Sequence, residues 1–435
     1  MTGHLTNPWQ DDVMTRRHKR SRIAAIAALS LTTALVGALM SASPASAKPG
    51  DPIAKGTVIP AGMFGMHVMN LEYGNYPTIP IGSIRLWDNQ TSWGEIEKSQ
   101  GNFDWTNLDN AVATANKNGV SDLLMVMAGT PAWATDDPTP QALPKPGAAG
   151  MPRDLSWWDN WVTQLVTRYK GKIKYYQPWN EANLSTFSTA SPREMADLTK
   201  RAYDIVHRID PNAVVVAPST GTRLGGPFKK FYGPYLDALA SYGWPVDIWA
   251  AHTYPSARGQ TKDRAKLARD YTAMLRAHGA PDRPIWDTEN NFGLAGPGAA
   301  NPEQDIDGTI AADWVGETYL DALQLGFSRV YWYRWTTGYD DMWGIQMYGG
   351  TPGATAFKTL EDWIVGATYQ GCTAKKDAVT CSFNKGGKDF RVVYSSTNSP
   401  KSFDVKGAAQ VCRLDGTCAA PSGSKVSTSG PVYLG

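Results

Sequence analysis

The chain has 435 residues, enough for two or three domains, although an α/β barrel of about 250 residues can form a single one. Hydrophobic residues make up 42% and charged residues 19%, which excludes an intrinsically disordered chain and a highly charged coiled coil. The formal net charge of only +2 lacks the basic excess that a nucleic-acid backbone attracts, so we expect no nucleic-acid partner.

The first 47 residues have the pattern of a secretory signal peptide. An apolar stretch from Ile23 to Met40 is followed by the small-residue triplet Ala45–Ala47. Five basic residues precede the apolar stretch: Arg16, Arg17, Lys19, Arg20 and Arg22. An uncleaved membrane anchor is the alternative, but the stretch is short and contains hydroxyl residues. We therefore predict a secreted protein that starts near Lys48, has acidic residues in slight excess and leaves the membrane after cleavage.

Residues 48–366 alternate apolar runs of strand length with segments of helical period, a pattern typical of βα units around a parallel sheet. Eight strands are predicted, at 65–69, 83–87, 123–127, 173–179, 214–217, 248–252, 285–288 and 330–335. Ser191, Pro192 and Glu194 indicate the start of one helix, because they combine a capping box with proline in the first turn. Eight such units predict an α/β fold of the (β/α)8 TIM-barrel type. No G-x-G-x-x-G follows a strand, which disfavours a dinucleotide-binding fold.

Beyond residue 366 the pattern changes to short strand-like runs separated by Gly, Ser and Asn. We interpret residues 367–435 as a small C-terminal all-β sandwich. All four cysteines lie there, and export makes disulfides plausible. Of the three possible pairings we favour Cys372 with Cys381 and Cys412 with Cys418, since each pair brackets a short hairpin-like segment. A four-thiolate zinc site is the alternative, but it lacks any C-x-x-C spacing.

Two glutamates end predicted strands on opposite sides of the barrel mouth. Glu181 ends the fourth strand in the run Gln177–Glu181, and Glu289 ends the seventh. Active sites of such barrels lie at the carboxyl ends of the strands. Hydrolysis of a glycosidic bond needs a carboxyl pair of this kind, one to protonate the leaving oxygen and one to attack the anomeric carbon or activate water. Either glutamate alone would more often be a solvated or structural charge.

The Trp-Asn-Glu of residues 179–181 and the strand-seven Glu289 resemble clan A retaining glycoside hydrolases. Within that clan, the runs at 82–88, 93–97, 101–105 and 129–133 resemble glycoside hydrolase family 39, which includes β-xylosidases, α-L-iduronidases and exopolysaccharide-cleaving enzymes. The resemblance implies that Glu181 is the general acid/base and Glu289 the nucleophile. It also implies a polysaccharide or oligosaccharide substrate and no cofactor.

Neighbouring residues are predicted to bind the substrate. Arg85 would keep Glu289 ionised, and Asn180 would bond the hydroxyl beside the anomeric carbon, unless it only caps the next helix. The resemblance implies that Tyr254 orients the nucleophile and that Trp335 forms the floor under the sugar. His252 is either a sugar contact or a structural histidine, and Trp133 is a possible rim platform, as is Trp343.

Competing chemistries lack their motifs. Residues 48–435 contain four histidines, none at metal-ligand spacing, so we predict no metal site. No G-x-S-x-G elbow and no phosphate-binding loop is present. The leading hypothesis is thus a secreted retaining glycosidase. The alternatives are a catalytically silent carbohydrate-binding protein of the cell envelope and an endoglycanase resembling family 5. The sequence predicts neither the sugar nor the oligomeric state.

Overall fold

The structure is a computed structural model, and it describes residues 53–136, 141–294 and 305–435. The predicted signal peptide at residues 1–47 lies outside the described residues. The predicted barrel and the predicted β-rich tail lie in the same compact unit. Within the described ranges, no helix has the length and apolar character needed to cross a membrane.

Eight parallel strands form the central sheet, and each coincides with a predicted strand. They are β1 Phe64–Val68, β2 Ser83–Leu86, β3 Leu123–Val126, β4 Tyr175–Gln177, β5 Val214–Val215, β6 Trp249–His252, β7 Ile285–Asn290 and β8 Phe327–Trp335. Their order is β5-β4-β3-β2-β1-β8-β7-β6. Parallel bridges from Val216 to Ile248 and from Gly221 to His252 join the two edge strands. The sheet therefore curls round on itself, and the predicted TIM-barrel fold is confirmed.

Seven α-helices of more than one turn surround the described part of the barrel. They are α1 Thr106–Lys117, α2 Leu155–Tyr169, α3 Pro192–Ile209, α4 Gly225–Ser241, α5 Thr261–Ala277, α6 Gly308–Leu325 and α7 Pro352–Ile364. The capping box predicted for α3 is present: Ser191 Oγ accepts from the Glu194 amide, and Glu194 Oε2 accepts from the Ser191 amide. The connection from β1 to β2 contains only a 3-10 turn, Leu71–Tyr73.

The barrel interior is filled by large side chains that point inward from alternate strand positions. Tyr175, Trp286 and Tyr331 belong to this inner cluster and are fully buried. The Arg329 guanidinium lies 4.1 Å from the Trp286 ring centroid and is paired with Asp122 at 2.7 Å. This packing closes the interior below the strand ends, so ligands can approach only from the barrel mouth.

The C-terminal tail consists of antiparallel strands. They are β9 Thr368–Lys375, β10 Ala378–Lys385, β11 Lys388–Ser395, β12 Lys401–Asp404, β13 Val411–Arg413, β14 Cys418–Ala419, β15 Lys425–Thr428 and β16 Val432–Leu434. Six of them form one sheet in the order β9-β10-β11-β16-β13-β14, and β12 pairs with β15. Phe403 of the smaller sheet packs against Val393 and Val432 of the larger one. This two-layer arrangement agrees with the predicted sandwich.

Both favoured disulfides are present. Cys372 and Cys381 are direct cross-strand partners in β9 and β10, with Cα atoms 4.0 Å apart. Cys412 and Cys418 are partners in β13 and β14, with Cα atoms 4.1 Å apart. Each hairpin places its two cysteines at directly opposed strand positions. Two cysteines a few residues apart are held in this way when a hairpin joins them, and the pairing was predicted on that ground.

Helix α6 carries the contact between barrel and tail. A Cβ atom at Gly316 would lie 2.5 Å from the end of the Leu414 side chain, so the helix and the tail approach closely here. Asp313, Glu317 and Asp321 follow one another at helical spacing on this helix, and Asp321 accepts a 2.6 Å hydrogen bond from Tyr394 of the tail. Burial raises the pKa of all three carboxyls, to about 6 for Asp313 and well above the usual value for Glu317.

We expect Glu317→Gln to make folding less sensitive to pH. A carboxyl whose pKa is raised by folding stabilises the native state below its unfolded pKa, and this stabilisation is lost as pH rises toward the folded pKa. Glutamine does not titrate. Above about pH 4.5, the free energy of unfolding of the wild type should therefore fall relative to the variant by about 1.4 kcal/mol per pH unit. Urea unfolding from pH 5 to 8 measures the difference.

The control for this experiment is Asp282→Asn, which removes an exposed loop carboxylate. Its stability difference from the wild type should stay nearly constant over the same pH range. If Glu317→Gln also shows a constant difference, the raised pKa of Glu317 is wrong.

Candidate active site

A cleft of about 1100 Å³ opens at the carboxyl ends of the strands. Loops that follow β2, β4, β5, β6, β7 and β8 form its walls. Glu181 and Glu289 both lie in its lining, together with His252 and Tyr254. The structure thus brings together residues that are widely separated in sequence, at the end of the barrel where the strand pattern predicted them.

Glu181 is held in an unusual backbone conformation. Its φ is 38°, in the left-handed region that non-glycine residues adopt only at a cost of about 1–2 kcal/mol. The Glu181 amide donates to Ser219 Oγ at 2.9 Å, and the Leu184 amide donates to the Glu181 carbonyl. These bonds hold the strained residue, so its side chain points into the cleft although the residue itself is only 9% exposed.

A β-bulge turns Glu289 into the barrel mouth. From Ala251 to His252, β6 advances one residue while the paired β7 advances two, from Asp287 to Glu289. An extra residue on one strand reverses the alternation of its side chains. Trp286 faces the interior, so regular alternation would have pointed Glu289 toward the helices. The bulge instead pairs Glu289 with His252, and both side chains reach the cleft.

Both oxygens of Glu289 accept charge-stabilising hydrogen bonds. Tyr254 donates its hydroxyl to Oε1 at 2.7 Å, and Arg85 donates Nη1 to Oε2 at 2.9 Å. Burial, followed by the neighbouring Glu289, raises the pKa of Tyr254 well above its ordinary value, so the phenol keeps its proton and acts as a donor. These two bonds fix the orientation of the Glu289 carboxyl group.

Arg85 is fully buried and its guanidinium is fixed on three sides. Besides Glu289, it donates Nε to Gln177 Oε1 at 2.9 Å and Nη2 to Asn180 Oδ1 at 2.8 Å. The planar guanidinium group of Arg85 thereby links β2, β4 and β7. Because the Asn180 oxygen is occupied by Arg85, its amide N–H groups are the part of the side chain left for another acceptor.

His252 lies between the two glutamates. Its Nδ1 is 3.0 Å from Glu181 Oε1 and 3.7 Å from Glu289 Oε2. Burial lowers the pKa of His252 to about 3, so the ring is neutral. The buried Nε2 has no hydrogen-bond partner in the described part of the chain, and an unpaired N–H there would cost more than a bare lone pair. The proton therefore belongs on Nδ1, which donates to Glu181.

The two glutamates differ in their electrostatic surroundings. Burial raises the pKa of Glu181 to about 7, and the lowering effects of Arg223 and Arg85 only partly oppose it. Glu289 instead has a direct ion pair with a buried arginine. Glu181 thus holds its proton near neutral pH, and it faces a glutamate that is bound directly to Arg85.

A second polar cluster lies beside Glu289. Asp88 accepts from Tyr333 at 2.6 Å and lies 2.9 Å from His67 Nδ1, while His67 Nε2 is 3.1 Å from the Thr288 carbonyl. Burial alone would raise the pKa of Asp88, but the hydrogen bonds and charge of His67, with Tyr333 and Arg334, hold it below its usual value. Asp88 is therefore an ionised acceptor in the cleft wall.

The structure does not place Trp335 or Trp133 in the cleft lining. A bulge in β8 explains Trp335: from Met66 to Val68, β1 advances two residues while β8 advances three, from Trp332 to Trp335. The predicted floor residue therefore faces the core, where it is 3% exposed. Trp133 packs on neighbouring tryptophans and donates its indole N–H to the Glu97 carbonyl. Both residues thus lie outside the described cleft lining, and their sugar contacts stay predictions.

Tyr333 and Trp343 line the cleft, where Trp335 was predicted to lie. Their rings form one aromatic cluster with Tyr254, and all three line the cleft. The sequence suggested Trp343 as a rim residue but missed Tyr333 and Arg223. Tyr333 lies two residues after the inward-facing Tyr331, so strand alternation could have placed it in the cleft. Arg223 lies in a loop without periodicity, where the sequence carries no signal of orientation.

Among the described residues, no cluster of three or more His, Cys, Asp or Glu side chains is arranged to hold a metal ion. The charged groups of the cleft are paired with one another or face its open volume. The chemistry available to the described site is therefore that of carboxyls, arginine, histidine and phenol.

Comparison with known proteins agrees with this geometry. Residues 82–213, from β2 to the start of β5, match the family described as glycosyl hydrolase family 10, and this segment includes Glu181. The family 39 glycoside hydrolase of the gut symbiont Bacteroides cellulosilyticus WH2 is similar in structure, with a TM-score of 0.62 and 18% identity over 86% of this chain and 81% of that one.

Two further solved structures share the fold. A family 39 β-xylosidase from Caulobacter crescentus matches with a TM-score of 0.61 and 15% identity over 87% of this chain and 96% of its own. A family 30 endoxylanase from Clostridium papyrosolvens C71 matches with a TM-score of 0.54 and 15% identity, covering 88% and 97%. The predicted resemblance to clan A glycoside hydrolases is thereby confirmed.

Proposed function

We propose that this chain, a glycoside hydrolase by its family match and its fold, cleaves O-glycosidic bonds of a polysaccharide or oligosaccharide with retention of configuration. One observation carries the proposal: Glu181, whose pKa burial raises to about 7, faces Glu289, which is bound to Arg85 and Tyr254, across the cleft. Double displacement requires this asymmetric pair.

The spacing of the pair supports retention. Glu181 Oε1 and Glu289 Oε2 lie 3.0 and 3.7 Å from the same His252 nitrogen, so these oxygens are less than about 7 Å apart. Retaining enzymes separate their carboxyl groups by about 5–5.5 Å, whereas inverting enzymes need about 6.5–9.5 Å to admit a water molecule. This upper limit is compatible with the spacing of a retaining pair.

In the first step, Glu289 attacks the anomeric carbon while Glu181 gives its proton to the leaving oxygen. The bond from sugar to leaving group breaks and an ester to Glu289 forms. In the second step, Glu181, now a carboxylate, removes a proton from water, whose oxygen attacks the anomeric carbon and releases Glu289. His252 donates to Glu181 Oε1, which leaves Oε2 as the oxygen that carries the transferred proton.

Asn180 is positioned to act on the sugar. Arg85 occupies its side-chain oxygen, so its amide N–H groups can donate to the hydroxyl beside the anomeric carbon. Such a bond strengthens as positive charge develops on the sugar ring. Tyr333, Trp343 and Tyr254 supply the aromatic surface on which a sugar face packs.

The proposal is tested by the stereochemistry of the first product. A panel of aryl glycosides and of plant and bacterial-envelope polysaccharides identifies an active substrate, and proton NMR then follows the anomeric signal during hydrolysis. We expect the first-formed sugar to have the substrate's configuration. A 2-deoxy-2-fluoro glycoside of the same sugar should label Glu289, as read by peptide mass spectrometry. Appearance of the inverted anomer first would contradict double displacement.

We also propose that the protein acts outside the cytoplasm. Its two disulfides require an oxidising compartment to form and persist. Thiol titration of the secreted protein before and after denaturation should find no free cysteine.

A further inference from the structure

The loop after β5 and the start of α4 form one wall of the cleft. We call this the β5 wall, and it consists of Arg223, Leu224, Pro227, Lys230 and Phe231. It faces Glu181 from the side of the cleft opposite the polar cluster of Asp88, His67 and Tyr333. Neither basic residue of the wall has an acidic neighbour within it.

Arg223 differs from the fully buried arginines of the barrel, each of which is matched with a carboxylate. Those pairs are Arg85 with Glu289, Arg264 with Asp287, and Arg329 with Asp122. Arg223 is half-buried, yet it forms no hydrogen bond or ion pair with any residue in the described part of the chain. Its guanidinium lines the open cleft, so its N–H donors are available to an anionic group of a ligand.

The adjoining helix adds to the positive potential. Helix α4 has 17 residues, its N-cap Leu224 offers no side-chain acceptor, and its first turn contains no acidic residue. Gly225 and Gly226 leave the backbone of this turn open, because an added Cβ at either would meet nothing within 4 Å. An uncapped helix N-terminus favours a nearby anion. Lys230, on the next turn, lines the same part of the cleft.

The position of Arg223 relative to the glutamates defines which sugar it faces. Glu181 protonates the leaving oxygen in the proposed reaction, and Arg223 is the positive charge that acts most strongly on Glu181. The groups bonded to Glu289 are Arg85 of β2 and Tyr254, which follows β6. An added Cβ at Gly221, two residues before Arg223, would lie 2.9 Å from Glu181 Oε1, so this loop lies beside the acid. In the proposed reaction, a charge on this loop faces the sugar that departs.

We propose that Arg223 binds a carboxylate on the leaving-group sugar, so that the substrate is an acidic polysaccharide with a uronic acid next to the scissile bond. This inference rests on the proposed glycosidase function. A guanidinium fork matches a carboxylate with two parallel hydrogen bonds, and the uncapped α4 terminus and Lys230 favour the same charge. The acceptor that Arg223 lacks is then supplied by the substrate.

The test compares two aryl glycosides of the sugar that the panel identifies. One has a 3-carboxyphenyl and the other a 3-carbamoylphenyl leaving group, which are similar in size and differ in charge. The readout is the ratio of their kcat/KM values in the wild type and in Arg223→Gln. Absolute rates will change for both substrates, because the variant also removes a charge that faces Glu181. The ratio cancels that shared effect.

We expect Arg223→Gln to lower the ratio by about 10- to 100-fold, the effect of losing a charge-assisted hydrogen bond. Arg223→Lys should restore part of the lost ratio, because lysine keeps the positive charge but lacks the planar guanidinium group. The matched control is Arg276→Gln, which removes an exposed arginine from the last turn of α5 and should leave the ratio unchanged. A ratio that is equal in wild type and Arg223→Gln would overturn the proposal.

A binding measurement separates this inference from the hydrolytic function. Sodium glucuronate and glucose are titrated into the wild type and Arg223→Gln, with NMR or calorimetric detection. We expect tighter binding of glucuronate than of glucose, and loss of that preference in the variant, whether or not any glycoside is hydrolysed. Equal affinities for the two sugars in the wild type, or no glucuronate binding at all, would overturn the assignment of Arg223 while leaving the glycosidase proposal intact.

Discussion

Glu289→Ala is expected to lower kcat by about 10⁴- to 10⁶-fold, as removal of a catalytic nucleophile does in other enzymes that act through covalent intermediates. Without the carboxylate, no ester to the enzyme can form, and Arg85 is left with an uncompensated buried charge. The measurement is hydrolysis of the aryl glycoside that the panel identifies, with circular dichroism to show that the variant is folded.

Recovery of activity by added azide is a second test of the nucleophile role of Glu289. The alanine variant leaves space where Glu289 stood, and azide can attack the anomeric carbon from that face while Glu181 still protonates the leaving group. We expect partial recovery of the rate and a glycosyl azide with inverted configuration. Glu194→Gln is the matched control, because glutamine also completes the capping box of α3, and it should keep wild-type activity. A Glu289→Ala enzyme with more than a tenth of wild-type activity would exclude the nucleophile role.

Glu181→Gln is expected to lower kcat/KM by about 10²- to 10⁴-fold on substrates with poor leaving groups, the usual contribution of a general acid. The effect should be much smaller for a dinitrophenyl glycoside, whose leaving group departs without a proton. This dependence on the leaving group distinguishes a missing acid from a damaged binding site, which would weaken all substrates alike.

The pH profile reports the same residue. Glu181 must carry a proton in the first step, and burial raises its pKa to about 7, so wild-type kcat/KM should fall as pH rises above about 7. Glutamine cannot titrate, so this alkaline limb should disappear in Glu181→Gln. In Arg223→Gln the limb should move to higher pH, because a positive charge that lowers the pKa of Glu181 has been removed. An alkaline limb that persists unchanged in Glu181→Gln would assign it to another group.

The sequence predicted the barrel and the meeting of Glu181 and Glu289 in one cleft because both follow from short-range patterns. Each central strand is an apolar run bounded by polar residues, and parallel strands place their carboxyl ends at one edge. Glu181 and Glu289 follow such runs, so their proximity needed only the order of the strands. The disulfides were predictable for a similar reason, since each joins positions that a hairpin holds face to face.

Orientation within a strand was harder to predict, because it depends on bulges. One extra residue in β8 turns Trp335 toward the core and leaves Tyr333 in the cleft, and one in β7 turns Glu289 into it. A bulge depends on how two strands pair, and the sequences of these strands do not show where the extra residue falls. Arg223 was missed for a different reason: its importance comes from an absent partner, which no sequence displays.

The junction of barrel and tail has a consequence for the order in which the molecule assembles. Residues 56–59 pair with residues 366–369: the Gly56 amide donates to the Tyr369 carbonyl, the Ile59 amide to Ala367, and Val58 forms an antiparallel bridge with Thr368. Residues 56–59, which lead into β1, thus form backbone hydrogen bonds with residues 366–369, which follow α7. Such a contact can form only when almost the whole polypeptide is present, and the entropy of closing so long a loop makes it slow. Residues 56–59 therefore stay unpaired during folding until residues 366–369 are available to pair with them.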